Sequence, residues 1–499
     1  MLDGYISLFT NEELDRIYQA SLDILSKVGI KVSSDEILGI MKNYGALVDE
    51  KRQVVRFPQN LVEEVAKIAR REKDIGFEGY APGKILWWAP STVGDAWQVH
   101  APETDKVGFG DATPFYYDWT GKTKRAATRR DLINMIKLAE VLEEVDRVTP
   151  ILAVSDVPGK LELLYNYALT MEYTSKKIIC GQILSADQIK YLIELAEIYS
   201  GVPGDTQWVV SAGDVQYNSP LSLGVERCRN MLEAAKLGLK WFSFGSGAVS
   251  GLNAPVTRAG TIALATAEIL GGWVIAKAIN KDSILMGLSF TGVFDMRTGR
   301  VSFSCPEAAL QDGGIYQLFR RLFNKSIATG HGDCIDAKTP GFQAIQDKIS
   351  KTITWGALTT RYTFHFGILD QASTFSPTQL MLDLELNKAI RQLIRGVEVN
   401  DDTVCLDLIE EIGHADKKKY LTARHTLKRY GEFLWIPELI DRTPYQGDKA
   451  EREKENLMLK SAEEKWRKAL KRYQKPKLPG GKKKAIKDIL KRAEKELCK

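Results

Sequence analysis

Aromatic and polar residues at the ends of apolar runs are the side chains of this 499-residue chain with the most chemistry to offer. Phe290 closes the run 284–290, and Phe364-His365-Phe366 closes the run 362–367. Tyr116, Tyr117 and Trp119 stand in a turn-rich stretch that could form a lid. The face of an aromatic ring attracts a cation by about 2 kcal/mol or more once water is excluded. Quaternary ammonium ions depend on such faces, because they have no N–H to donate. Polar residues follow the same runs: Asp156, Gln182, Asp214, Ser246, Thr291, His331 with Asp333, and His365 with Asp370. Cys305, His331 and Cys334 are residue types that bind zinc. However, the chain has five histidines and no CxxC or HxxxH cluster, and a polar histidine beside a buried thiol explains the set without a metal. No GxSxG elbow is present. The Gly-rich stretch 244–251 follows the fourth strand of its series and lacks the acidic partner of a dinucleotide fold.

These positions take their meaning from the elements around them. From Thr128, which with Asp131 forms a capping-box pattern, apolar runs alternate with helical periodicity. Strands are expected near 148–154, 178–183, 208–212, 241–245, 284–290, 326–330 and 362–367. Helices are expected at 160–174, 186–200, 221–237, 256–279, 306–323, 340–357 and 378–396. The strand runs are apolar without alternation, as in parallel strands covered on both faces. Polar residues after most strands point to a TIM (β/α)8 barrel, whose active sites sit at the C-terminal strand ends. The eighth strand is expected before Thr128. The chain therefore reads as an N-terminal elaboration over 1–127, a barrel body over 128–446 and a basic helical extension over 447–499.

The extension carries 19 basic and 9 acidic residues, so the body is left with 50 basic and 55 acidic ones. An acidic body is a poor nucleic-acid binder, since phosphate binding needs a concentrated basic face. The extension is expected to pack as a helix pair on the surface. The apolar window 262–279 contains Glu268 and Lys277 and reads as a buried helix, not a membrane span. Six scattered cysteines and an N-terminus without a basic-then-apolar pattern suggest a reduced, cytoplasmic protein.

Several motifs, in order along almost the whole chain, carry a family resemblance. They are Ser250-Gly-Leu-Asn-Ala-Pro-Val-Thr-Arg-Ala-Gly260, Ala267-Glu-Ile-Leu-Gly-Gly272, Asp295-Met-Arg-Thr-Gly299, Cys305-Pro-Glu307 and Asp336-Ala-Lys338 with Gln343. Gln379-Leu-Met-Leu-Asp-Leu-Glu385, Arg395–Asp402, His425-Thr-Leu and Trp435–Arg442 follow. Together they resemble the trimethylamine methyltransferase superfamily. That resemblance implies a TIM barrel that moves a methyl group from a methylated amine to the cobalt of a separate corrinoid protein. The trimethylamine enzymes of the family contain pyrrolysine, whereas this chain has only standard residues, the equivalent position falling within 330–336. It thus resembles the non-pyrrolysine members, which include glycine betaine methyltransferases. Gly413-His-Ala-Asp416 departs from the more glycine-rich turn expected there.

The expected partners are a small quaternary amine, a corrinoid protein and further copies of the chain. No cofactor and no metal is expected in the chain itself. Strand-end position nominates Tyr117, Trp119, Phe290, Phe364 and Phe366 for an aromatic box around the ammonium. It nominates His331 and His365 as polar groups, and Asp333 or Asp370 to offset the charge. Two other readings stand beside this one: a zinc-dependent corrinoid methyltransferase for an alcohol or thiol, using Cys305, His331 and Cys334, and a barrel that binds a ligand without catalysis.

Overall fold

The computed structural model describes residues 6–72, 107–110, 112–179, 181–329, 334–359, 365–414 and 419–499. Trp87, Trp88, Trp97, His331, Asp333 and Phe364 lie outside the described residues. The architecture is mixed α/β. Strands Val107–Phe109, Val145–Val148 and Lys177–Ile178 form one parallel sheet, each beside its successor in the chain. Strands Asp214–Gln216, Trp241–Ser246, Ile284–Ser289 and Ala328–Thr329 form a second on the same plan. Among the described residues the two sheets do not join into a closed barrel. Helices Arg129–Val141, Glu162–Tyr173, Ile189–Ser200, Val225–Lys236, Arg258–Ile279, Pro306–Phe323, Phe342–Thr359 and Pro377–Arg395 follow in turn. A parallel neighbour requires such a crossover, and strand Val107–Phe109 stands where a strand before Thr128 was expected.

The expected strand at 208–212 is not one. Trp208 stacks on Tyr167 with centroids 4.3 Å apart, and the chain turns through a 3-10 segment at Val210–Gly213 before the ladder begins at Asp214. Large aromatic burial outcompetes strand pairing at that point.

Helix Arg258–Ile279 is the centre of the molecule. It is long and apolar enough to cross a membrane, yet nearly all of it is buried inside the fold. Strand Trp241–Ser246 covers one side. The N-terminal helices Asn11–Lys27 and Gln59–Arg71 cover the other. A helix covered all round needs no polar face, which explains its composition. Its two buried charges, Glu268 and Lys277, are satisfied locally. Glu268 accepts hydrogen bonds from Ser246 Oγ (2.5 Å), Ser219 Oγ (2.8 Å) and the Leu221 N–H (2.7 Å), and burial raises its pKa. Lys277 pairs with Glu72 at 2.6 Å and donates to the Ser283 carbonyl.

The C-terminal helices Asp448–Leu470 and Gly480–Leu497 lie against the outside of the body, burying Leu459, Trp466, Ile486 and Ile489. Glu463 fastens the first of them, accepting from Thr120, Thr378, Trp466 and Arg467. Part of the basic charge is used on the acidic body: Lys475 and Lys483 reach Glu172, and Arg492 reaches Glu194.

Gly272 lets helix Arg258–Ile279 touch the sheet, since a Cβ there would lie 2.2 Å from the Phe244 ring. Gly272→Ala is therefore expected to cost about 3 kcal/mol by overpacking. Gly39, at an exposed position of helix Asp35–Asn43 with nothing near its Cβ position, provides the contrast: Gly39→Ala should gain about 0.5–1 kcal/mol. Denaturant melts of the two variants, moving in opposite directions, check the reading.

Candidate active site

Alternation along strand Trp241–Ser246 divides its side chains between two faces. Phe242, Phe244 and Ser246 point to the helix layer, where Phe244 meets Gly272 and Ser246 meets Glu268. Ser243 and Gly245 therefore point to the opposite face, left open by helix Arg258–Ile279 although Ser243 and its neighbours Asp214, Met286 and Leu288 are buried. Register brings Asp214 and Gln216 beside them from one neighbour, and Met286 and Leu288 from the other. A Cβ on Gly245 would lie 3.1 Å from Leu288 and 3.2 Å from Gln216, so these residues share one surface. Its lower end is an apolar floor of Val210 and Met286 with Trp241 and Ile284. Its upper end, at the C-terminal strand ends, holds Gly247 and Phe290. A Cβ on Gly247 would lie 2.9 Å from the Phe290 ring, so the ring rests on the bare backbone of Gly247.

Phe290 is held from both sides by one carboxylate. Asp312 Oδ1 accepts the Ser289 hydroxyl at 2.6 Å and the Thr291 N–H at 2.9 Å. Asp312 lies on helix Pro306–Phe323 and is buried. Burial raises its pKa to about 6, against the lowering effect of those two hydrogen bonds.

The other nominated residues divide by environment. Phe366 is 1% exposed and belongs to the main hydrophobic core, and Trp119 packs against the same core. Tyr117 is buried on strand Phe115–Asp118 but joins none of the apolar clusters among the described residues. Burial, with Asp118 nearby, raises its pKa. His365 is buried, and its carbonyl accepts from Lys348 Nζ at 2.8 Å. The next-but-one N–H, of Gly367, donates to Asp383 at 2.7 Å, and Asp383 also pairs with Lys348.

Asp370 has two cations on it. Lys124 Nζ stands 2.5 Å from one oxygen and Arg300 Nη2 2.7 Å from the other. Burial raises its pKa, but Lys124 and Arg300 outweigh this and hold it below the usual aspartate range. The cluster is thus net positive, the reverse of a carboxylate free to offset an ammonium. Asp370, Gln371 and Ala372 all have left-handed φ (49°, 57° and 59°), a costly run for non-glycine residues. N–H bonds from Asp370 to Ala337 and from Gln371 to Ile335 hold this turn. Three hairpins meet at this cluster: Phe115–Ala126, Gly292–Ser302 and Ile368–Phe375.

Among the remaining strand-end residues, Asp156 caps helix Arg129–Val141 by accepting from Arg129 N–H (2.8 Å) and Nε (3.0 Å). Cys305 takes the N-cap position of helix Pro306–Phe323, and burial raises the pKa of its thiol. Among the described residues no three His, Cys, Asp or Glu side chains gather as a metal would require. Sequence reasoning missed Gly247, Asp312 and the partners of Asp370. Only the alternation of Ser243-Phe244-Gly245-Ser246-Gly247 carried a signal, namely small residues on every second position.

The chain matches the family described as trimethylamine methyltransferase (MTTB) over residues 3–498. It is 25% identical over 418 residues to trimethylamine methyltransferase MttB of Desulfitobacterium hafniense (strain DSM 10664 / DCB-2), covering 84% of this chain and 80% of that one. It is 26% identical over 445 residues to trimethylamine methyltransferase MttB of Methanosarcina thermophila, covering 88% of each. It is 24% identical to the glycine betaine methyltransferase of Desulfitobacterium hafniense (strain Y51), again over 88% of each. With a family match running almost from end to end, the chain belongs to the trimethylamine methyltransferase (MTTB) family.

Proposed function

We propose that this protein is a TIM-barrel methyltransferase that moves a methyl group from a quaternary, betaine-like amine to the Co(I) of a separate corrinoid protein. Chain-order parallel pairing in both sheets supports closure into a barrel whose interior is the open face. The observation that carries the reading is the half-buried Phe290 ring, laid on Gly247 at the strand ends and fixed by Asp312. Its face suits an N-methyl cation. Tyr117 is the second described ring of the proposed box, and Phe364 is a third expected one. Trp119 and Phe366 support the site from the core. The positive Lys124–Asp370–Arg300 cluster has the sign that a betaine carboxylate needs.

The corrinoid enters as the methyl acceptor on its own protein and supplies the nucleophile. The work of this chain is to hold the ammonium, aim one N–CH3 bond out of the barrel mouth and keep water away. Orientation and desolvation then carry the rate. The departing group is a neutral tertiary amine, so no residue has to protonate it.

Three outcomes are expected. A Co(I) corrinoid protein, mixed with this protein and a panel of methylated amines, should show the visible spectrum of methyl-cobalt with a quaternary amine and not with trimethylamine. Silence across the panel, with acceptor and reductant shown competent, would overturn the proposal. Phe290→Ala should raise KM about 30-fold, the equivalent of about 2 kcal/mol, while the melting temperature changes little. Phe366→Ala should instead lose about 3–5 kcal/mol of stability, because its ring is core. An unchanged KM in Phe290→Ala removes that ring from the site.

Asp312 links site and stability. Its folded pKa, about 6, lies above the ordinary 3.8. Its contribution to stability is therefore full below about pH 4 and is lost as pH rises through about 6. Asp312→Asn keeps an oxygen for both hydrogen bonds but cannot ionise. Its melting temperature relative to the parent should rise between pH 4 and pH 7, with KM unchanged, whereas Asp312→Ala should raise KM.

A further inference from the structure

Residues 397–414 and 419–433 leave the body as an arm. It starts after Gly396, at the end of helix Pro377–Arg395, and returns where Gln392 Nε2 donates to the Phe433 carbonyl at 2.8 Å. Its helices Asp401–Val404 and Arg424–Phe433 bury no residue, and Leu406–Ile412 buries only Ile412. Val397 is 85% exposed, Leu421 82% and Leu427 86%. Leu427, Tyr430 and Leu434 make one uncovered apolar stripe at helical spacing. Monomers rarely leave so much contiguous apolar surface in water. Within the arm, Cys405 Sγ meets His425 Nε2 at 3.1 Å.

Charge is segregated along the arm. Residues 397–411 contain Glu398, Asp401, Asp402, Asp407, Glu410 and Glu411 and no Lys or Arg. Residues 419–433 contain Lys419, Arg424, Lys428 and Arg429 against one acid, Glu432. A surface that is acidic and apolar in one half, and basic and apolar in the other, is complementary to itself. Turned about a two-fold axis, the acidic half of one copy meets the basic half of the next, which is the pairing an isologous interface demands. We propose that the arm is a dimerisation element that pairs two copies of this chain in that antiparallel sense.

A corrinoid protein is the rival occupant, and position argues against it. Helix Pro377–Arg395 begins at the Ile368–Phe375 hairpin, which belongs to the Asp370 cluster. Its 19 residues carry the chain about 28 Å away before the arm begins. A methyl acceptor has to reach the strand ends, whereas the arm hangs from the far end of that helix.

Sedimentation of the full chain at micromolar concentration tests this without reference to activity. The parent is expected to run as a dimer or a larger even assembly. Leu421→Asp with Leu427→Asp, at positions too exposed to matter for folding, should halve the mass. Arg424→Glu with Lys428→Glu should weaken association at least tenfold. Adding Asp407→Lys with Glu410→Lys to the same chain should restore it, since among the described residues none of these four forms an ion pair within its own chain. A parent that is monomeric, or that gains mass only when corrinoid protein is added, overturns the proposal. So does an odd-numbered assembly, or an Asp variant that keeps its mass. Failure of the double reversal to recover association overturns the antiparallel pairing.

Discussion

The contact between helix Arg258–Ile279 and strand Trp241–Ser246 is the constraint on which the rest of the structure depends. Gly272 brings the helix backbone against Phe244, and Glu268 takes the hydroxyl of Ser246. Two consecutive even-numbered positions of the strand are thereby committed to the helix layer. A strand has only two faces, so Ser243, Gly245 and, beyond the strand, Gly247 are committed to the other. The character of the open face follows from that commitment. It is narrow-walled and small in residue size where the middle strand passes, and so has room for an aromatic ring from the next strand. Phe290 takes that room.

Electrostatics at the strand ends is settled by the hairpins and not by the strands. One carboxylate, Asp370, joins three hairpins through Lys124 and Arg300. Its left-handed turn is tolerated because neighbouring backbone accepts its N–H groups. Asp312 likewise spends its charge on backbone and hydroxyl donors around Phe290. Asp370, which looked available in the sequence, is thus a fastening group in the fold. The surplus charge of the Lys124–Asp370–Arg300 cluster is positive.

The order of elements was legible in the sequence because periodicity is local. Helices 160–174, 256–279 and 306–323 were expected close to where they occur, at Glu162–Tyr173, Arg258–Ile279 and Pro306–Phe323. Side-chain roles were less legible. Nothing local separates Phe366, a core ring, from Phe290, an open-face ring, since both end apolar runs; the difference is which side of a sheet each falls on. The family motifs mislead in a related way. Gln379 donates to Asp383, which pairs with Lys348, and Glu385 accepts the N–H groups of Glu438 and Leu439, so two motifs distant in sequence hold each other in place. Asp295 shapes the turn to Gly299 by accepting from the N–H of Arg297. These are residues of architecture, and they made the resemblance visible without marking the site.

Architecture and chemistry meet in the kind of substrate that such a site can serve. A tertiary amine in water near neutral pH carries a proton that competes with methyl transfer and has to be managed. A quaternary ammonium carries its activating charge permanently, and the charge disappears as the methyl leaves. A pocket for it therefore needs ring faces that favour the cation and walls that exclude water, together with an anchor remote from nitrogen that outlasts the loss of charge. In the proposed function the ring on Gly247 and the positive hairpin cluster would divide those tasks between a sheet and a set of cross-linked hairpins. For the proposed betaine-like substrate, that division would free the nitrogen end once it is neutral while a carboxylate end is still held.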